Sequence, residues 1–262
     1  VKPFEKAPVM SIFCRMSGRK LISLSIAAIS LLLPLYPFDA GAKVTYWGRV
    51  KKIIVIDPGH GGHDTGVRSS GGAPEKTIAL SLARLVASEL KGKYSVVLTR
   101  TDDYGLDVPG RADAANHAKA DVFISIHTGG SFLREAGGMA IYYYKETSAS
   151  HLPPEDDRAK KAALDEDQTP WDRLQQEHIG ASRLLAQSLK KRIGKQITFM
   201  DCKIAAAPIL LLRGADMPAV LFETGHLTNP DDEKHLGNEQ DLRKIARAVA
   251  AGIEDFIDRD RR

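Results

Sequence analysis

From Lys51 onward, short runs of β-branched and apolar residues alternate with longer stretches in which apolar residues recur every three to four positions. That alternation predicts an α/β domain: a twisted, mixed but largely parallel sheet of about six strands with helices on both faces. Ile53 to Ile56 reads as a first buried strand. Glu75 to Lys91 reads as a helix entered through Pro74, with Ile78, Leu82, Leu85, Val86 and Leu90 on one face. Val96 to Thr99, Val122 to Ile126 and Met139 to Tyr144 are the next strands, with a short helix over Arg111 to Ala118 between the first two of these. Thr169-Pro170-Trp171-Asp172 has a capping threonine, a proline at the first helical position and an acid three residues after the cap, so it starts a long helix that Gly194 ends. Ala206 to Leu212 and Ala219 to Phe222 complete the strands. Asn238 then caps a last helix striped by Leu242, Ile245, Ala246, Val249, Ile253, Phe256 and Ile257.

Two stretches fall outside this rhythm. Arg15, Arg19 and Lys20 precede an apolar run from Leu21 to Leu33, Pro34 and Pro37 follow, and Ala40-Gly41-Ala42 closes the segment as a small-residue cleavage site. Residues 1–42 therefore read as an export signal, with 43–51 a short linker and 52–262 the working domain. The competing reading is an uncleaved membrane anchor, because Leu21 to Phe38 reaches the lower limit for a bilayer crossing. The second stretch, about 147–169, is rich in charge, including Glu155, Asp156, Asp157, Lys160 and Lys161, and is longer than an ordinary connection. It is either a solvated excursion or a lid.

Composition then removes whole classes of function. The 262 residues carry a formal charge of +4. Residues 1–42 hold five basic and two acidic side chains, which leaves 32 basic against 31 acidic in the remainder. A domain so balanced, with no aromatic and basic residues interleaved along one face, is not built for nucleic acid. Cys14 lies before the apolar run, so Cys202 is the one cysteine of the exported part and no internal disulfide forms there. No G-x-S-x-G elbow, H-E-x-x-H helix or G-x-x-x-x-G-K-[ST] loop is present, and the glycines after the first strand fail the dinucleotide spacing at Asp64. A nucleotide partner is excluded on that ground.

What remains is a set of strand ends. The first strand runs into Asp57-Pro58-Gly59-His60-Gly61-Gly62-His63-Asp64, the third ends Ser125-Ile126-His127, and a late one ends Leu221-Phe222-Glu223. Parallel strands share one carboxyl edge, and ligands bind there, so His60, His127 and Glu223 can converge. Glu75 joins them from the first turn of its helix, where the dipole favours the ionised carboxylate that a metal ligand must be. Two histidines and a glutamate form a catalytic zinc set with one position left for water. A second carboxylate must then move protons, and Glu223 is the candidate. Gly59, Gly61 and Gly62 let the backbone turn beside such a metal. Asp57 and Asp64 are candidates for orienting the histidines, or else for stabilising the turn. His63, His117, His151, His178 and His235 read as surface or loop residues, and Cys202 as packing.

Ile54 to Gly66 (IVIDPGHGGHDTG), Pro74-Glu75-Lys76, Leu98-Thr99-Arg100, Arg111 with Ala115-Asn116, Ala120 to His127 (ADVFISIH) and Pro218 to Asn229 (PAVLFETGHLTN) together resemble the zinc-dependent N-acetylmuramoyl-L-alanine amidases of the Amidase_3 type. The likeness runs in order from about Lys52 to Ile257. It implies zinc held by His60, Glu75 and His127, with Glu223 as acid and base. It also implies hydrolysis of the amide between the lactyl group of N-acetylmuramic acid and the L-alanine of the peptidoglycan stem peptide, at a periplasmic or extracellular site. Some members carry an inhibitory helix that an activator protein pulls away, and the charged stretch after Tyr144 falls in that region. A catalytically inert wall-binding module and a zinc peptidase are the rival readings; the presence of all four key residues argues against the first. Three positions depart from the family's usual pattern: Thr77 stands where Asp is common, Thr128-Gly129 where Ala-Asn or Ala-Asp is usual, and His226 where Phe is usual.

Overall fold

A computed structural model of the chain describes residues 51–133, 135–146 and 174–259. The expected export segment, the 43–50 part of the linker, the charged stretch 147–169 and the capping motif Thr169 to Asp172 lie outside the described residues. In chain order the elements are β1 (Ile53–Pro58), α1 (Glu75–Leu90), β2 (Ser95–Leu98), α2 (Val108–His117), β3 (Val122–Gly129), β4 (Met139–Tyr144), α3 (Leu174–Gln196), β5 (Cys202–Ala207), α4 (Leu210–Arg213), β6 (Ala219–His226), α5 (Pro230–Leu236) and α6 (Glu239–Arg259).

The six strands form one sheet in the order β2-β1-β3-β6-β4-β5. Every neighbouring pair is parallel except β4 with β6, which are antiparallel. The composition of each strand follows its place. β1 and β3 are central and covered on both faces, so they read as nearly unbroken apolar runs, whereas the edge strands β2 and β5 contain no buried residue. Asp121 ties down the opposite, amino edge: its carboxylate accepts from the Ile53 amide at 2.7 Å and from Lys52 Nζ at 2.8 Å.

α1, α3 and α6 cover one face around the larger core cluster. α1 buries Ala79, Leu82, Ala83, Val86 and Leu90 at helical spacing, and α6 buries Leu242, Ile245, Ala246, Val249, Ile253 and Ile257. Each large apolar side chain so covered is worth roughly 1.5–3 kcal/mol. α3 and α6 approach closely at Gly252, where a Cβ would lie 2.7 Å from Leu189 Cα. α2 and α4 cover the other face, where Val55, Phe123, Ala115 and Leu212 meet in a smaller cluster. No helix among the described residues is long and apolar enough to cross a membrane.

Three local expectations are corrected. The run Ala206 to Leu212 is not one strand: β5 stops at Ala207 and α4 begins at Leu210. Pro208 between them lacks the amide a ladder needs, and the helical turn lets Leu211 and Leu212 reach the core. Gly194 does not end its helix, which continues to Gln196; with open space around it, the glycine costs only its propensity, about 1 kcal/mol. α5 was not anticipated, although Asn229 followed by Pro230 spells a capped start, and Asn229 Oδ1 does accept from the amides of Asp231 and Asp232.

Candidate functional site

β1, β3 and β6 are mutually parallel, so their carboxyl ends bring His60, His127 and Glu223 to one edge of the sheet. The chain between His60 and Glu75 folds back on itself, with the Glu75 amide bonded to Val67 O at 2.8 Å and the Lys76 amide to Thr65 O at 3.2 Å. Glu75 then opens α1 with its carboxylate aimed under the strand ends.

The three residues meet on a single oxygen. Glu75 Oε1 lies 3.1 Å from His60 Nε2 and 3.1 Å from His127 Nδ1, and one donor atom from each of the three falls within 4.8 Å of the others. The two imidazoles stand edge to face, centroids 4.9 Å apart. Glu75 is 1% exposed and also accepts from the amides of Thr128 at 2.8 Å and Val67 at 3.0 Å. Burial pushes its acidity down, but the hydrogen bonds from His127 and His60, the charge of His60 and the Thr128 amide outweigh burial and hold its pKa at about 2. Burial also lowers the pKa of His60, and the contacts with Glu75 and Asp64 overcome it, leaving a net rise.

The residues present fit a divalent cation. His127 Nε2 is buried with no hydrogen-bond partner, and two imidazoles with one ionised carboxylate are a donor set for zinc-like metals. Two glycines hollow out the cradle. A Cβ at Gly59 would stand 2.6 Å from His127 Nε2, and one at Gly66 would stand 2.5 Å from Glu75 Oε2 and 2.7 Å from His60 Cδ2. Gly66 further sits at φ +61°, where side chains are disfavoured.

His60 itself has φ +61°, an uncommon backbone for a non-glycine residue, so something must hold it there. Arg111 and Arg100 do. Arg111 donates to His60 O at 2.9 Å and to Pro58 O at 2.9 Å, and pairs with buried Asp57 at 2.8 Å. Arg100, fully buried, donates to Pro58 O at 3.0 Å, Gly59 O at 2.7 Å and Lys76 O at 2.8 Å, which links the loop to the first turn of α1. The two acids proposed to orient the histidines therefore part ways. Asp64 Oδ2 bonds His60 Nδ1 at 2.7 Å and its other oxygen accepts from the Gly66 amide at 3.0 Å, so it both orients the ring and stabilises the turn. Asp57 touches neither histidine; it is taken up by Arg111, Thr99 at 2.5 Å and Ser125 at 2.6 Å.

Glu223 stands beside this cluster, paired in register with His127 across β3 and β6, and its side chain is 26% exposed. Burial raises its pKa, and the offsetting influence of His226, Tyr142 and His127 is smaller. Tyr142 Oη donates to Glu223 Oε2 at 3.4 Å, a contact that sequence reasoning could not reach, since only the antiparallel pairing of β4 with β6 brings the two together. Of the histidines expected at the surface or in loops, His178 bonds Asp216, His235 bonds Asp241 and stacks on Phe199, and His63 and His117 are exposed, while His151 lies outside the described residues. Cys202 is partly buried, and desolvation pushes its thiol up to about 11, which makes it unreactive.

Comparison with known proteins agrees with this architecture. The family model for N-acetylmuramoyl-L-alanine amidase, Amidase_3, matches residues 54–255. The amidase AmiA of Escherichia coli (strain K12) is 32% identical over 221 residues, covering 79% of this chain and 76% of AmiA. AmiC of Neisseria meningitidis serogroup B is 30% identical over 226 residues, and there the chain spans about half the relative, 53% of its length. Among solved structures, the catalytic domain of CwlV, an N-acetylmuramoyl-L-alanine amidase from Bacillus (Paenibacillus) polymyxa var. colistinus, superposes with a TM-score of 0.64 at 31% identity, covering 79% of this chain and 98% of that one. With the match extending over every described strand and helix that builds the cleft, the chain belongs to the Amidase_3 family of N-acetylmuramoyl-L-alanine amidases.

Proposed function

We propose that this protein is a zinc-dependent N-acetylmuramoyl-L-alanine amidase that cuts the amide between the lactyl group of N-acetylmuramic acid and the L-alanine of the stem peptide in peptidoglycan. The observation that carries the reading is the meeting of His60, Glu75 and His127 on one carboxylate oxygen, with a second acid, Glu223, on the adjoining strand. His60, Glu75 and His127 would hold the zinc ion, which when bound polarises the scissile carbonyl and acidifies a water molecule. Glu223 takes the proton from the attacking water and passes it to the departing alanine nitrogen. Burial raises its pKa toward the range in which a group can serve as base in one step and as acid in the next. Asp64 fixes the His60 ring, and Arg100 and Arg111 fix the loop that carries it. The protein would work in the cell envelope, periplasmic or extracellular, where its substrate lies, with an activator protein acting through the charged stretch 147–169.

The test is digestion of purified peptidoglycan by the full chain, with and without a chelator, beside Glu223→Gln. Release of free stem peptides that needs both metal and Glu223 is expected. Release that survives the chelator, or new amines other than the alanine nitrogen, would contradict the proposal.

A further inference from the structure

Glu223 and His226 are three residues apart on β6, and in a regular strand such a pair points to opposite faces. Here it does not. Register runs from His127 paired with Glu223 to Gly129 paired with His226, two steps along β3 against three along β6, so β6 carries one extra residue in a bulge. Gly225, at φ +132°, lies within it. A bulge reverses the alternation beyond it, and it delivers the His226 ring to the face that carries Glu223, with Nε2 at 3.9 Å from Glu223 Oε2. Asp232 pins the bulge from α5, since its Oδ2 accepts from the His226 amide at 2.8 Å and from the Gly138 amide at 2.7 Å.

Two further observations show that the ring has been given a place. A Cβ at Gly129 would stand 2.5 Å from His226 Nε2 and closer still to Cδ2, so the ring can occupy its position only because residue 129 has no side chain. Positions 129 and 226 are thus sterically coupled. His226 Nδ1, moreover, is buried with no hydrogen-bond partner. A buried N–H left unpaired costs more than a buried lone pair, so a neutral ring keeps its proton on Nε2, the nitrogen that faces Glu223.

Building on the amidase reading above, we propose that His226 is a positioning residue for Glu223: seated in the space left by Gly129, it holds the Glu223 carboxylate from one side while Tyr142 Oη holds it from the other. The role depends on both positions at once.

The experiment is steady-state hydrolysis of a soluble N-acetylmuramoyl peptide by the full chain, with bound zinc measured on every variant. His226→Phe is expected to lower kcat about tenfold, with KM and zinc content unchanged, because a carboxylate displaced from the proton it must take loses turnover rather than binding. His226→Gln, which keeps an N–H donor, is expected to recover most of the lost kcat. Gly129→Ala is expected to reproduce the loss seen in His226→Ala and to add nothing when the two are combined. A wild-type kcat in His226→Phe, equal losses in the Phe and Gln variants, or independent losses in Gly129→Ala and His226→Ala would each overturn the proposal. A wild-type protein that binds zinc yet releases no alanine amine would instead overturn the amidase reading, and this inference with it.

Discussion

Glu75 and Glu223 face the same cleft, and their surroundings drive them in opposite directions. Glu75 sits at the start of α1 with two imidazoles and two backbone amides around it, and its pKa is held at about 2. Glu223 sits at the end of β6 with a tyrosine at 3.4 Å and an imidazole at 3.9 Å, and burial raises its pKa. One carboxylate is kept ionised by the donors around it, and the other holds its proton more readily than an ordinary glutamate. Environments that separate two acids in this way mark out their tasks. The same contrast extends to their supports: the His60 loop is braced by two buried arginines, whereas the Glu223 strand is shaped by a bulge and two glycines.

The comparison can be broken most forcefully at Glu223. Glu223→Gln should lower turnover by about a hundredfold to ten-thousandfold while zinc remains bound, measured as peptide release and metal content on one preparation. Next comes the brace. Arg111→Met leaves the buried Asp57 carboxylate without its cation and should cost about 3–5 kcal/mol in urea unfolding, with His60 released from its positive φ.

A stability measurement in chelator-treated protein tests the opposed pKa shifts directly. Glu75 has a folded pKa depressed from 4.5 to about 2, so it contributes stability above pH 4.5 that is lost as pH falls toward 2, on the order of 3 kcal/mol. Wild type should therefore lose more stability between pH 5 and pH 2 than Glu75→Gln. Glu223 has the opposite sign. Its raised pKa means that ionisation in the fold costs stability as pH rises above the ordinary glutamate range, so Glu223→Gln should be more stable than wild type at pH 7. If both Gln variants shift stability in the same direction, the comparison fails. The smallest effect lies far from the cleft. Gly252→Ala forces α6 off the Leu189 backbone and should cost about 1–3 kcal/mol, read as a lower Tm with the amide cleavage rate unchanged at 25 °C.

How much of this was legible depends on whether the signal was local. His60, His127 and Glu223 each end an apolar strand, and Glu75 opens an amphipathic helix, so the parallel sheet and the convergence of these residues could be reasoned from pattern and spacing. The insertion of β6 between β3 and antiparallel β4 could not, and with it went the Tyr142 contact and the bulge that turns His226 toward Glu223. Arg100 and Arg111 carried charge, and only burial against carbonyl oxygens showed them to be internal braces. Ala206 to Leu212 misled because an apolar run interrupted by Pro208 serves a strand end and a helical turn equally well.

A single metal ion is expected among His60, Glu75 and His127. Anomalous diffraction at the zinc edge, on crystals of the full chain grown with zinc, tests it most directly. A single strong peak is expected in the cleft bounded by His60 Nε2, Glu75 Oε1 and the His127 ring. An empty cradle beside a zinc peak elsewhere on the protein would contradict it.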